Sequence, residues 1–509
     1  MITQKRLLVA LLLAAEGLIG TAMMQGAIAA PPSSSTAGHH PSQIFPESNL
    51  TKESTMNLMA QASSNPMSPS ALTAAMDAYL QAHTGLNWFS GTVIVTRDNE
   101  PIFTEAYGLA NREHQVPNSS QTKFRLGSIS KQFTAAAILQ LQDRGLLDVQ
   151  APVATYLPDY PNGDRITLHH LLTHTAGLPN LTSFPDYGQW MQLPTTLDEL
   201  VARFQDLPLE FEPGEKYSYS NSGYVLLTKV IETVSGQSYA DYLQEHLLNL
   251  LGMQNTGYEI PLEVIEGLAS GYTSTDEGYQ QAEYVNMWVP QGAGGLYSTV
   301  DDLVRWNQFL FADERRDGSV LSEKAIAAMT TPHVSMGIDD APYLFYGYGL
   351  LIDDRPEQPR IGHGGGINGF VTNLMHYPNQ DVTIAVLSNN QMANPERISE
   401  GLAAILFGEP YELPSLPEVA TVDPSLYERY VGTYQVAPEF QVRVTVKADQ
   451  LQIQGTGQPT FTLYPVSETE YASRVVNDLR VIFNQTPDGS VESLTLLEGG
   501  YETVAPKVN

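Results

Sequence analysis

The stretch FRLGSISKQFTAAAILQLQDRGLL, residues 124–147, decides how the chain is organised. Within it Ser128-Ile129-Ser130-Lys131 is an S-x-x-K tetrad, placed where a turn ending in Gly127 gives way to a helical pattern. Ile129, Phe133, Ala136 and Ala137 recur at near-helical spacing, and Ile138 and Leu141 widen that face. Arg144 followed by Gly145 makes a C-terminal stop. Positions three apart share a helix face. The Ser128 hydroxyl and the Lys131 amine are therefore expected side by side at the first turn, among free backbone N–H groups and the positive end of the helix dipole. Taken alone, the tetrad reads first as an ordinary helix start with Ser128 near the cap and Lys131 in solvent. The residues downstream decide between the two.

The 509 residues leave room for two or three domains, and an apolar content of 42% supports a large core. Lys plus Arg total 26 against 56 Asp plus Glu, a net charge of −30 with a pI near 4.6. That balance argues against nucleic acid, whose phosphates need a basic face, and against an anionic membrane surface. Its simplest meaning is solubility. There is no cysteine, hence no disulfide and no thiolate metal site. Residues 1–29 read as a signal peptide: Lys5 and Arg6 precede the apolar run 7–15, and Ala27-Ile28-Ala29 fits an A-x-A cleavage site. Glu16, Gly17 and Gly20 stop the run short of a membrane-spanning length. An exported protein, periplasmic or extracellular, with no stable membrane span after cleavage is expected. Residues 30–67, rich in Pro, Ser, Asn and Gln, read as a disordered spacer, in which His39 and His40 are incidental.

A helix is expected over 70–82, with Leu72, Met76, Tyr79 and Leu80 inward. Strands at 91–97 and 101–107 flank the turn Asp98-Asn99-Glu100 as a hairpin. Thr167 caps a short helix ending near Gly177, which sets His170 and His174 four apart on one face. No Glu stands where a zinc-protease motif needs one and no third ligand is evident, so helix-terminal hydrogen bonding is the role this spacing favours. Residues 181–290 are mostly helix and loop, with amphipathic segments at 224–234 and 239–251. A Gly-rich turn at 291–297 runs into a helix that Ser298 can cap with Asp301. Tyr297 occupies the last glycine's place in a G-x-G-x-x-G and no P-loop is present, so a nucleotide site is not indicated. Strands follow at 346–352, 370–377 and 381–389, with 361–369 as the loop joining the first two, then a helix at 397–408. The pattern is not a regular βαβ repeat. It predicts an α+β fold over 68–408: an antiparallel sheet with packed helices and a helical insertion from about 150 to 290. Residues 409–425 form a Pro- and acid-rich linker. Residues 426–509 carry seven short alternating runs, the mark of a small all-β barrel or sandwich.

Three stations stand in order: Ser128-Ile129-Ser130-Lys131, Tyr219-Ser220-Asn221 and His363-Gly364-Gly365. With the flanks KFRLGSISKQFTA, LLTHTAGL, PGEKYSYSNSGY, GGLYST and GHGGGINGF, the chain resembles the serine β-lactamase and penicillin-binding-protein superfamily. It is most similar to the branch holding class C β-lactamases, D-aminopeptidases and esterases. The resemblance implies a β-lactamase/transpeptidase-like sheet and a serine hydrolase working through an acyl-enzyme on Ser128. Lys131, lowered in pKa by burial, and Tyr219 are then the proton-transfer groups. Asn221, His363 and Gly365 bind substrate, and the backbone N–H groups of Ser128 and Gly366 form the oxyanion hole. No cofactor and no metal is implied. The expected substrate is a small ester, a short peptide with D-residues (D-aminopeptidase or DD-carboxypeptidase-like), or weakly a β-lactam. His363 and Gly364 stand where the β-lactamases have Lys and commonly Thr, which removes a fixed charge and a hydroxyl that hold a β-lactam carboxylate. An unperturbed imidazole titrates near pH 6.5, so a conditional charge is expected at His363. Two rivals remain at this stage: a non-catalytic penicillin-binding-like sensor, and a protein whose C-terminal β-domain binds glycan, peptide or another protein. No G-x-S-x-G occurs, so the α/β-hydrolase elbow is absent as a pattern.

Overall fold

The computed structural model describes residues 67–508 except 313–317, 339–340, 438–439, 457–459 and 499–500. The signal peptide read at 1–29, and nearly all of the spacer, lie outside the described residues. The body is built on an eight-stranded sheet. Its spatial order is Val334–Ser335, Leu344–Tyr346, Leu351–Asp353, Arg360–Ile367, Phe370–Tyr377, Val382–Ser388, Gly91–Arg97 and Glu100–Tyr107. Every pairing is antiparallel. The first hairpin turns through Asp98 and Asn99, with φ of +52° and +63°. Two consecutive positive φ values are what a type I′ turn requires.

Both faces of this sheet are buried, and alternation sorts its side chains between two cores. Val93, Val95, Ile384 and Val386 face the helices Pro69–Gly85 and Pro395–Phe407, meeting Met76, Leu80, Ile398 and Leu402. Ile94, Leu374, Ala385 and Leu387 face the opposite way, into the larger core around the helix Ser130–Asp143. That helix is covered on all sides from Ser130 to Leu141. Lys131, which the tetrad taken alone would leave in solvent, is 0% exposed. The insertion contributes Leu168–Leu172, Leu197–Ala202, Asn221–Ser235 and Tyr239–Leu243, and also the hairpin Tyr272–Thr275 with Gly278–Gln281.

Three local expectations change. Residues 361–369 are not a loop: Arg360–Ile367 is a full strand, paired from Ile361 opposite His376 to Ile367 opposite Phe370. Its glycines lack side chains that favour strands, but they let another segment lie flat on it. The strand expected at 346–352 is two, broken at 347–350, because Gly349 (φ +70°) packs against the Lys131 carbonyl with no room for a Cβ. The helix Val300–Phe311 is capped by Thr299, whose side chain accepts from the Asp302 N–H. Ser298 turns inward to Thr256 instead.

The C-terminal unit is an antiparallel meander of eight strands, from Gly432–Ala437 to Tyr501–Pro506, one more than the seven alternating runs. First and last strands nearly close it: Tyr434 bridges Lys507, and the Val508 N–H donates to the Thr433 carbonyl at 2.8 Å. Its core holds Tyr430, Tyr434, Tyr471 and Phe483.

Candidate active site

Ser128 lies in the short 3-10 turn Gly127–Ile129 that feeds the helix Ser130–Asp143. The turn rests directly on the strand Arg360–Ile367. Gly127 has φ +54°, and a Cβ there would sit 2.6 Å from the Gly366 nitrogen. A Cβ on Gly365 would sit 1.9 Å from the Leu126 carbonyl oxygen. The Thr372 hydroxyl, from the neighbouring strand, donates to that same carbonyl at 2.8 Å. Two glycines thus let the Ser128 turn and the His363-Gly364-Gly365 strand touch backbone to backbone.

The three stations converge on the Ser128 hydroxyl. Lys131 Nζ lies 3.0 Å from Ser128 Oγ, and the Tyr219 hydroxyl lies 2.9 Å from it. Lys131 Nζ also donates to Asn221 Oδ1 and to the Ala293 carbonyl, each at 2.8 Å. Asn221 is oriented by its own amide group, whose Nδ2 donates to Thr182 Oγ1 at 3.1 Å. The Asn221 and Ala293 oxygens only accept, so they fix two N–H directions of the amine. The direction toward Ser128 carries an N–H in the ammonium form and a lone pair in the neutral form. Gly365 and Gly366 sit beside Ser128 on the strand, and Gly366 borders the pocket that opens above it. Leu181, Tyr187, Ile367 and Asn368 are also among the residues that line that pocket.

His363 departs from the expected conditional charge. It is 3% exposed, its Nε2 is 2.9 Å from the Tyr346 hydroxyl, and its Nδ1 reaches the Gly364 carbonyl at 2.5 Å. Burial, then the charge of Lys131, lowers its pKa from 6.5 to about 4. The imidazole is neutral through the whole neutral range and does not line the pocket above Ser128.

His174 also departs from its reading. The helix Leu168–Leu172 stops before it, and His174 adopts φ +56°, so it does not share a helical face with His170. His170 completes a capping box with Thr167. Among the described residues no group of three or more His, Cys, Asp or Glu is arranged to hold a metal. His174 instead stacks on the Tyr219 ring, centroids 4.1 Å apart at 29°. Its Nδ1 accepts from the Ser220 N–H at 3.1 Å, which leaves the ring proton on Nε2. Burial, then Lys131, then His363 hold its pKa well below 6.5. Sequence reasoning missed this role, although the LLTHTAGL flank that contains His174 was conspicuous. It also missed the Ala293 carbonyl, for which backbone leaves no sequence signal.

Among the described residues no helix is long and apolar enough to cross a membrane. The Beta-lactamase family model matches residues 74–409, and a Domain of unknown function (DUF3471) matches 416–505. A penicillin-binding protein of Bacillus subtilis (strain 168) is 30% identical over 438 residues, 82% of this chain and 94% of that one. The D-aminopeptidase of Gluconobacter oxydans (strain 621H) is 29% identical over 352 residues, 67% of this chain and 62% of its own. The solved octameric penicillin-binding protein homologue from Pyrococcus abyssi is 26% identical with a TM-score of 0.59, covering 86% of this chain and 100% of that one.

Proposed function

This chain belongs to the Beta-lactamase family and is a serine hydrolase, and from that premise we propose that it works through an acyl-enzyme on Ser128. The observation that carries the proposal is the convergence of Lys131 Nζ and the Tyr219 hydroxyl on Ser128 Oγ, at 3.0 and 2.9 Å. Ser128 Oγ attacks the scissile carbonyl while its proton passes to the Lys131–Tyr219 pair. The developing oxyanion accepts from the backbone N–H groups of Ser128 and Gly366, held ready before the reaction begins. Collapse expels the leaving group, which takes a proton from Tyr219. Water then attacks the acyl-enzyme with the same pair as base. Asn221 aims the amine and offers its amide to the substrate, and Gly365 keeps the strand close enough for Gly366 to reach.

The substrate we favour is a small ester or a short peptide or amide with a D-residue at the scissile bond. The D-aminopeptidase likeness supports the D-residue class. A neutral His363 offers no fixed cation to a β-lactam carboxylate, which makes β-lactams poor substrates. We take 68–408 as the catalytic domain, 409–425 as linker and 426–509 as the β-domain. Residues 1–29 support export to the periplasm or outside the cell. The test is labelling with a fluorophosphonate, followed by mass spectrometry of the modified peptide. The probe should sit on Ser128, and Ser128→Ala should fold yet lose both label and ester turnover. Wild-type turnover in folded Ser128→Ala would sink the mechanism.

A further inference from the structure

We infer that the C-terminal barrel braces the oxyanion strand from behind, with Gln391 and Asp276 as positioning residues, so that it governs catalysis without touching substrate. The inference rests on the role proposed above for the Gly366 N–H.

Two routes run from the barrel to one turn. The first passes through a single dipeptide. Met392 is buried in the barrel core, in one cluster with Tyr430, Tyr434 and Phe483. The preceding residue, Gln391, is 4% exposed and faces the other way. Its Oε1 accepts from the buried Gly369 N–H at 2.8 Å. Gly369 makes the tight turn, at φ +83°, that ends the strand Arg360–Ile367 three residues after Gly366.

The second route passes through the hairpin Tyr272–Thr275 and Gly278–Gln281. At its tip, the Asp276 carboxylate accepts from the Thr462 N–H at 3.0 Å and from the Tyr464 hydroxyl at 3.4 Å, both on the barrel. At its base, Gly271 presses on the same Gly369, where a Cβ would come within 2.5 Å of the Gly271 Cα. The Tyr272 N–H donates to the Asn389 carbonyl at 3.0 Å and the Gln391 N–H to the Tyr272 carbonyl at 2.8 Å. The hairpin is thereby sewn to the segment that carries Gln391 and Met392. The barrel itself is held to the body by Arg397 with Asp478 at 2.6 Å and by the Trp88 indole N–H on the Arg474 carbonyl at 2.8 Å.

An oxyanion donor acts only on charge that develops in the transition state, so slack in its position lowers kcat and leaves substrate affinity alone. Losing the Gln391 acceptor strands a buried N–H, and the turn must shift to find another partner. That shift passes along three residues of strand to Gly366.

The experiment uses full-length protein, ester turnover and inhibition by phenylboronic acid. In the inhibited enzyme Ser128 Oγ bonds to boron, its proton goes to the Lys131–Tyr219 pair, and one boron hydroxyl takes the oxyanion position. Binding of phenylboronic acid, read by calorimetry because Ser128→Ala has no turnover to inhibit, should be present in the wild type and vanish in folded Ser128→Ala, which secures the reading this inference rests on; binding unchanged by Ser128→Ala overturns that reading and this one with it. Given that, Gln391→Leu and Asp276→Ala should each lower kcat roughly tenfold and raise the boronate Ki by a similar factor, with KM within about twofold. Gln391→Glu and Asp276→Asn, which keep an acceptor, should restore most of both. The double variant Gln391→Leu/Asp276→Ala should lose less than the product of the singles, because both act on one turn. Asp276 is exposed, so Asp276→Ala remains a fair test if Gln391→Leu does not fold. Wild-type kcat and boronate Ki in folded Asp276→Ala, or KM rising as much as Ki, would overturn the inference.

Discussion

Gly127→Ala tests whether the close contact between the Ser128 turn and the Gly366 strand matters for chemistry. Two costs follow from the structure. At φ +54° an L-residue sits in the left-handed region, a penalty of about 1–2 kcal/mol. The new methyl would also lie 2.6 Å from the Gly366 nitrogen and 2.7 Å from its oxygen. Both neighbours are backbone atoms of a paired strand, so they cannot swing away as a flexible side chain would. Reaching the ordinary contact distance of 3.4 Å demands a separation of about 0.8 Å between turn and strand. A misplacement near 1 Å in a catalytic constellation is worth about 100-fold in rate. The variant should therefore fold with a melting point lower by several degrees, roughly 4–8 °C per kcal/mol in small domains and less in a chain of this size. It should bind ester with nearly wild-type KM and lose about 100-fold in kcat. The assay is steady-state ester hydrolysis beside a thermal melt. A folded Gly127→Ala enzyme with kcat within about threefold of wild type would show that turn and strand need not touch, and the oxyanion assignment would fall with it.

Lys131→Ala and Tyr219→Phe should each cut turnover by about 100-fold or more, and together by less than the product. Fully multiplicative losses would count against a shared proton relay. The buried histidines predict a stability change in acid: burial lowers His83, His363 and His376 to about 4. For each, the folded pKa lies below the unfolded value of about 6.5, so its contribution is complete above that pH and is lost as pH falls toward 4. A drop of that size corresponds to about 3 kcal/mol per fully buried imidazole. His376→Gln, remote from Ser128, should flatten the unfolding free energy against pH between 4 and 6.5 by up to about 1.4 kcal/mol per pH unit. An unchanged slope would mean that His376 is not held neutral. The same value for His363 predicts that KM for an acidic substrate stays flat from about pH 5.5 to 8, rather than changing near the unperturbed 6.5. A step near 6.5 that disappears in His363→Gln would refute this.

What the sequence disclosed follows from the range of the interactions involved. Ser128 and Lys131 are three apart, so their meeting is a property of one helical turn. The sheet was legible where Val93, Ile94 and Val95 alternate between two cores. It was illegible at Arg360–Ile367, because three consecutive glycines have no strand preference of their own. Their pairing comes from the neighbour Phe370–Tyr377, and their selection comes from the Ser128 turn lying on top of them. His174 was misread for a similar reason. Its spacing from His170 is helical, but the helix stops at Leu172 and a left-handed residue turns the ring onto Tyr219. Alternation disclosed seven of the eight strands of the C-terminal meander but not the last, Tyr501–Pro506, nor whether they form a barrel or a sandwich. That Met392, more than thirty residues before it, belongs to its core was not legible either, because such membership exists only in the folded chain.

The burial pattern around Ser128 also decides which groups can change charge there. Lys131 is fully covered and faces two acceptor oxygens, the Tyr219 ring at 4.7 Å and the Tyr224 ring at 5.5 Å. Two histidines stand close by, and a protonated imidazole at either place would oppose a positive Lys131 in a low-dielectric setting. The fold avoids that conflict by keeping both rings neutral through burial, with Nδ1 of His174 tied to a backbone N–H and Nε2 of His363 facing the Tyr346 hydroxyl. Neither histidine is then an imidazolium with an acidic proton to give near neutrality. A change in rate with pH in that range is therefore expected from the Ser128, Lys131 and Tyr219 unit rather than from either histidine. His363, which stands where the resemblance puts a lysine of the β-lactamases, packs here against Tyr346, with ring centroids 5.7 Å apart. The absence of a cation at position 363 is therefore expected to change which substrates are held, while the convergence of Lys131 and Tyr219 on Ser128 is kept.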